Sequence, residues 1–380
     1  MTSFVQELPA SRVVFGPHSL DRVPEEVRRL ACRAVLLVAG GSQRQAADEL
    51  AGALGPLLAG RIGAVVQHVP EADADRAARL AGEAGADGLV CLGGGSATGL
   101  AKAVALRVPL PIVAVPTTYA GSELTPVWGI TAGGRKRTGR DPAVQPRTVV
   151  YDPLLTLSLP PAVTAASGMN AAAHCVEALY APEGQGAGPL TSWAAEEGLR
   201  ALAAALPRCV EAPGELDARG RALYGAWLAG LALGGAATGV HHKTCHVLGG
   251  TFGLPHAETH AALLPHAAAF NAAAAPAAMA RVARALGAGD AAGGLWDLAA
   301  RTGAPTSLRS LGLRAEDVEA AAELVAAAAP PNPRPVDAAG VAAMLRAAWS
   351  GRRPEPPGQA GPAATPAAAA GAAASTRRTP

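Results

Sequence analysis

Gly88-Leu89-Val90-Cys91-Leu92-Gly93-Gly94-Gly95-Ser96-Ala97-Thr98-Gly99-Leu100-Ala101-Lys102 reads as a buried strand, a glycine turn and the opening of a helix. Glycines let the backbone approach an anion closely, and a helix N-terminus offers free N–H groups and the positive end of a dipole. The pyrophosphate of a dinucleotide suits such a turn, so Gly93, Gly94, Gly95 and Ser96 are candidate cofactor-binding residues. Tight packing alone is the alternative reading. Similar short apolar runs occur at Arg12–Phe15, Ala34–Val38, Gly63–His68, Pro111–Val115 and Thr148–Tyr151, with helical patterns at Ser42–Leu58 and Ala72–Ala84. Continuous apolar strands alternating with helices argue for a parallel sheet covered on both faces. Residues 1–155 are therefore expected to form a Rossmann-like α/β dinucleotide-binding domain.

Two more loops follow strands in this region. Pro116-Thr117-Thr118-Tyr119-Ala120-Gly121-Ser122-Glu123 offers the hydroxyls of Thr117, Thr118 and Ser122, which either face the same cofactor or cap a turn. Ala39-Gly40-Gly41-Ser42-Gln43-Arg44 brings Gly40 to the carboxyl end of another strand. It lacks an acidic residue to grip a ribose 2′-hydroxyl, and Arg44 would tolerate a 2′-phosphate. Both NADH and NADPH remain open.

After Pro160 the strands stop. Ala162–Tyr180, Leu190–Leu206, Leu216–Ala236, His241–Leu248 and His256–Phe270 all read as helices, with Gly249-Gly250, Gly253 and Pro255 marking a break. Residues 156–350 are expected to form an all-helical second domain. Within it, Asn170 and His174 share a helix face, as do His242 and His246, and His256 returns from the next helix. A single histidine is most often a core or surface residue. This grouped spacing, with Lys243 beside it, has no packing motive and marks a candidate catalytic cleft. From Gly351 the chain is rich in proline, alanine and arginine, so 351–380 is expected to be a disordered tail.

The composition excludes several classes. Among 380 residues, half are hydrophobic and the formal net charge is +2, with no basic cluster interleaved with aromatics. That argues against nucleic-acid binding. The apolar runs are alanine-rich and broken by proline, which argues against a membrane span. Five scattered cysteines without CxxC spacing, and a start lacking basic and apolar signal regions, point to a cytoplasmic protein.

These stretches together resemble the iron-containing alcohol dehydrogenase superfamily, and within it the maleylacetate reductases. The resemblance runs from about Val5 to Leu286 and rests on Gly93–Lys102, Pro116–Glu123, 134–142, Ser167–Tyr180 and His241–His266. It implies an N-terminal dinucleotide-binding domain, a helical domain, a cleft between them and commonly a homodimer. It further implies reduction of maleylacetate, a small dicarboxylate, to 3-oxoadipate with NADH or NADPH in aromatic catabolism. Metal ligands of the wider superfamily match Asn170, His174, His242 and His256, with Asp at the first; maleylacetate reductases are similar in carrying Asn and working without metal. His246 matches a histidine close to the nicotinamide. The chain departs from the pattern at Ser96-Ala97-Thr98, at Pro265-His266 and in its tail.

The chemistry of the residues agrees with that implication. Asn170 offers a divalent ion only a neutral carbonyl, and Lys243 adds like charge; three histidines can nevertheless hold zinc. The expectation is that metal is not required. His242 or His246 would donate the proton, while Lys243, His242 and His256 hold carboxylates or a developing oxyanion. Arg137 and Arg140 either recruit the dianion or are solvated charges. A metal-dependent alcohol or carbonyl oxidoreductase of a biosynthetic pathway is the main alternative. A lyase of the dehydroquinate-synthase type is disfavoured by Asn170.

Overall fold

The computed structural model describes residues 11–133, 135–182 and 188–355. Eight strands are present among them: β1 (Arg12–Phe15), β2 (Val35–Ala39), β3 (Leu58–Ile62), β4 (Gly88–Gly93), β5 (Ile112–Pro116), β6 (Val127–Ala132), β7 (Arg135–Arg140) and β8 (Thr148–Tyr151). Six form one parallel sheet in the order β1-β8-β5-β4-β2-β3. Helices α1 (Val23–Arg29), α2 (Arg44–Leu54), α3 (Glu71–Glu83) and α4 (Gly95–Ala105) belong to this half. The sheet is sealed on both faces because alternate residues point opposite ways. Leu37, Val90 and Val113 pack with Val27, Leu50 and Leu54 on one side, and Leu36, Leu89 and Cys91 pack with Leu100 and Val104 on the other.

Strand order reverses between β2 and β4, and a ligand crevice opens at the carboxyl ends of such a pair. Both candidate glycine loops leave the sheet at that point. The sheet is thus the parallel α/β architecture that the alternating pattern anticipated.

Two expectations are corrected, and one element appears that the sequence pattern did not announce. The strand expected at Gly63–His68 lies earlier, at Leu58–Ile62, where the backbone pairs with β2 from Val35 onward. Ala64-Val65-Val66 is the more apolar run, but edge pairing rather than hydropathy selects the strand. The helix expected over Ser42–Leu58 ends at Leu54, since Gly55 and Pro56 turn the chain through a short 3-10 segment into β3. The antiparallel hairpin β6–β7, in register Trp128↔Gly139, was not anticipated, because Arg135–Arg140 carries no apolar alternation.

The helical half comprises α5 (Pro161–Tyr180), α6 (Pro189–Glu211), α7 (Leu216–Gly235), α8 (Val240–Phe252), α9 (His256–Asn271), α10 (Pro276–Leu286), α11 (Ala291–Thr302), α12 (Asp317–Ala327) and α13 (Ala338–Ser350). Helix α6 runs on through Pro207 to Glu211. The break before α9 falls at Gly253, in the left-handed region with φ 72°, while Gly249 and Gly250 stay helical. Alanines let α5, α6 and α7 pack closely through Ala172, Leu202 and Ala226. A separate apolar cluster joins α8, α9, α12 and α13 through Leu248, Leu263, Val325 and Leu345.

The expected disordered tail does not start at Gly351. Trp296 Nε1 donates to the Gly351 carbonyl at 3.1 Å, and Arg353 pairs with Asp297 at 2.9 Å, so the chain stays pinned to α11. The remainder of that expectation, 356–380, lies outside the described residues. No single described helix is long and apolar enough to cross a membrane.

Candidate active site

A cleft of about 1030 Å³ lies between the sheet's carboxyl edge and the helical half. On the sheet side it is lined by Gly40, Gly93, Gly94, Gly95, Ser96, Thr118 and Ser122. On the helical side it is lined by Asn170, His174, His242, Lys243, His246 and His256. The structure thus brings all but one of the expected glycine-loop, hydroxyl-loop and histidine-cluster residues to one cavity. Thr117 is the exception: it is buried behind the loop, and its N–H is spent on the Gly93 carbonyl at 3.1 Å. Arg44 and Arg137 lie outside the lining, whereas Arg140 joins it and reaches the Gly234 carbonyl at 3.4 Å.

The glycine loop fits a dinucleotide phosphate. Helix α4 begins at Gly95 with no side chain capping its N-terminus, so its first N–H groups are directed at the cleft. A Cβ on Gly94 would come within 3.0 Å of the Thr118 side chain, so any other residue would have to push that side chain aside. Lys102, which ends the motif, does not reach toward the cleft's anion site. Its buried ammonium donates to the carbonyls of Ser122 (2.6 Å), Thr125 (2.7 Å) and Val127 (2.8 Å), tying the second loop to α4. Burial lowers its pKa to about 7, against a nearby Glu123 that favours the charged form.

The histidine side is built around a residue that spacing alone did not single out. Glu177 stands seven residues after Asn170 on α5, on the same face as Asn170 and His174. Its carboxylate accepts from the N–H of Gly239 (2.9 Å), the N–H of His241 (2.9 Å), the hydroxyl of Tyr180 (2.7 Å) and Nδ1 of His242 (2.6 Å). It therefore caps α8 from a neighbouring helix and orients His242, the third residue of that helix. With Nδ1–H committed to the carboxylate, His242 presents Nε2 on its other side. Burial lowers the His242 pKa to about 3, with repulsion from His256 adding to it, so this imidazole is neutral.

His260, one turn beyond His256, was also missed. It is fully buried, and its ring lies 4.4 Å from that of His256 and 4.7 Å from that of His242. Burial pushes His174 and His260 well down and His241 to about 4. His174 stacks on His242 at 5.0 Å, and His246 stacks on His256 at 6.1 Å. His246 is half-buried and lines the cleft, whereas His241 is sealed beneath it, its Nε2 at 3.1 Å from the His260 carbonyl.

Asn170 Oδ1, His174 Nδ1 and His242 Nε2 are buried without a hydrogen-bond partner. As a divalent-metal set these donors are all neutral. The nearby carboxylate of Glu177 already accepts four hydrogen bonds, and Lys243 brings an ammonium into the same cleft. The set does not fit a divalent ion that needs an anionic ligand.

Comparison with known proteins identifies the family. Residues 10–153 match the family described as iron-containing alcohol dehydrogenase, and 164–349 match the Fe-containing alcohol dehydrogenase family, C-terminal. The chain is 52% identical to maleylacetate reductase 2 of Cupriavidus pinatubonensis over 93% of its length and 99% of that protein. It is 50% identical to the maleylacetate reductase of Sphingobium indicum, covering 92% and 99%. The crystal structure of maleylacetate reductase from Agrobacterium tumefaciens superposes with a TM-score of 0.89 at 46% identity, covering 93% of this chain and all of that one. A 1,3-propanediol oxidoreductase structure, 29% identical with a TM-score of 0.85, covers 91% of this chain and all of its own. The chain belongs to the iron-containing alcohol dehydrogenase family and is, with its maleylacetate reductase relatives, an oxidoreductase.

Proposed function

We propose that this protein reduces the conjugated carbon–carbon double bond of maleylacetate to give 3-oxoadipate, using NADH or NADPH and no metal ion. The observation that carries this reading is the buried amide of Asn170, set among neutral imidazoles, in a cleft that also holds the ammonium of Lys243. Gly94, Gly95 and Ser96 would hold the cofactor's pyrophosphate at the start of α4, with Thr118 and Ser122 beside it. When bound, the nicotinamide supplies a hydride.

Addition of hydride to the alkene carbon β to the ketone moves the electron pair onto the ketone oxygen as an enolate. The enolate then takes a proton at the carbon next to the ketone. Lys243 has no ion-pair partner among the described residues, and its charge offsets that of a substrate carboxylate and the growing oxyanion. The Asn170 side-chain N–H₂ is a neutral donor for the ketone oxygen. His242 has its Nδ1 proton committed to Glu177, which leaves no proton on Nε2 to give. His246 is half-buried at the cleft and able to reload from solvent, so it is the proton donor in this reading.

The test is consumption of NADH and of NADPH with maleylacetate in the presence of EDTA, with 3-oxoadipate identified as product. Full activity in chelator by metal-free protein is expected. Activity that vanishes on chelation and returns with ferrous or zinc ion would instead make this a metal-dependent alcohol or carbonyl oxidoreductase.

A further inference from the structure

A second cavity, of about 490 Å³, lies at the far end of α9, away from the cleft. Its walls are the last turns of α9, one face of α13 and residues 352–355, where the chain leaves α13. The floor is apolar, from Ala269, Phe270, Ala343, Met344 and Ala347. Two guanidinium groups border it without an ion-pair partner among the described residues, those of Arg334 and Arg352. The neighbouring arginines are paired: Arg353, which also lines the cavity, with Asp297, and Arg346 of α13 with Glu319.

Arg334 is held rather than free. Its guanidinium sits 4.1 Å above the Phe270 ring and donates from Nη1 to the Phe270 carbonyl at 3.2 Å. That fixes the fork and leaves further N–H groups for another acceptor. Nearby carboxylates do not supply it. Asp337 caps α13 by accepting from the Gly340 N–H at 2.7 Å, and Glu355 is exposed at the rim. Two unpaired cations against one rim carboxylate leave the cavity net positive. His266 joins the wall as a buried ring whose Nε2 lacks a hydrogen-bond partner.

We infer that this cavity binds a small monocarboxylate with a flat apolar body, an aromatic acid being the simplest example. The carboxylate pairs with the forks of Arg334 and Arg352, and the body lies on the alanines and Met344 of the floor. The inference does not depend on the reaction assigned to the main cleft. The site shares a helix with it, since α9 carries His256 and His260 at one end and His266 and Phe270 at the other.

Calorimetric titration of the intact protein with benzoate, with saturating NADH present, tests the inference. Saturable binding is expected, weakened about fivefold or more in Arg352→Ala by loss of a charge-assisted contact. It should be lost in Ala347→Trp, where an indole at an exposed helix position fills the cavity without changing its charge. Acetate, which has the charge without the body, should bind more weakly than benzoate. Absence of saturable binding, or binding unaffected by both variants, would overturn the inference. So would benzoate binding that appears only when NADH is left out, which would place the ligand in the main cleft.

Discussion

At the residue scale, the site depends on which hydrogen-bond partner each ring nitrogen has. Glu177→Gln keeps the shape but replaces a carboxylate with an amide that must choose between donating and accepting. Turnover of maleylacetate should fall by roughly 10–100-fold, the usual effect of losing a partner that orients a site histidine, while the Kd for NADH holds. Equal losses in NADH binding and turnover would show a merely structural role. Asn170→Asp supplies the missing anion to the imidazole set. Zinc or iron recovered with that purified variant should rise well above wild type, and unchanged metal content by atomic emission would refute the reading of this position. Asn170, His174, His242, Lys243, His246 and His256 were legible because their spacing grouped them. Glu177 was not, because a glutamate in a helix is usually a solvated charge, and only the fold reveals that the start of α8 descends onto it.

At the scale of elements, loops that leave strands and meet helices decide the cleft's shape. Gly121 begins the turn after the β5 loop with φ 77°, and a Cβ there would come within 3.1 Å of His174 Nδ1. Gly121→Ala is expected to cost about 1–2 kcal/mol from the left-handed backbone alone, read as a lower denaturation midpoint. It should also slow turnover by crowding His174. A variant as stable and as active as wild type would show that this close approach is not required. The parallel sheet and the long helices were readable from apolar runs and their lengths. Strand β3 and the β6–β7 hairpin were not, because their pairing is settled by neighbours: β2 offers an edge to Leu58–Ile62, and Val127–Ala132 recruits the polar Arg135–Arg140. The hairpin earns its place by bracing strain. Thr131 holds the His68–Val69 corner, its hydroxyl donating to the His68 carbonyl at 2.8 Å and its N–H to the Val69 carbonyl at 3.0 Å. His68 and Val69 both have positive φ, 64° and 48°, and both line the cleft, as does Ala329 at 43°.

At the scale of the whole molecule, the buried imidazoles make stability depend on pH. His241 and His266 are lowered to about 4 and His242 to about 3, chiefly by burial, and His174 and His260 are lowered well below the usual value. In the unfolded chain these rings take up protons near pH 6.5, whereas the folded chain excludes them until much lower pH. Below about pH 6.5 the unfolded state therefore binds more protons, and unfolding free energy falls with falling pH. Each excluded proton contributes a slope of about 1.4 kcal/mol per pH unit, continuing until the folded-state values are reached. Urea midpoints measured from pH 7.5 to 4.5 should decline steeply, and a flat profile would contradict neutral buried histidines. His266→Phe should shallow the decline without touching the cleft.

One carboxylate, that of Glu177, both starts a helix and sets the tautomer of the imidazole two steps into it. Selection cannot tune the two jobs apart. In a library of random variants, changes around this carboxylate will register first as a smaller yield of folded enzyme and only then as a slower one. Screens that read rate without counting folded molecules will misassign them.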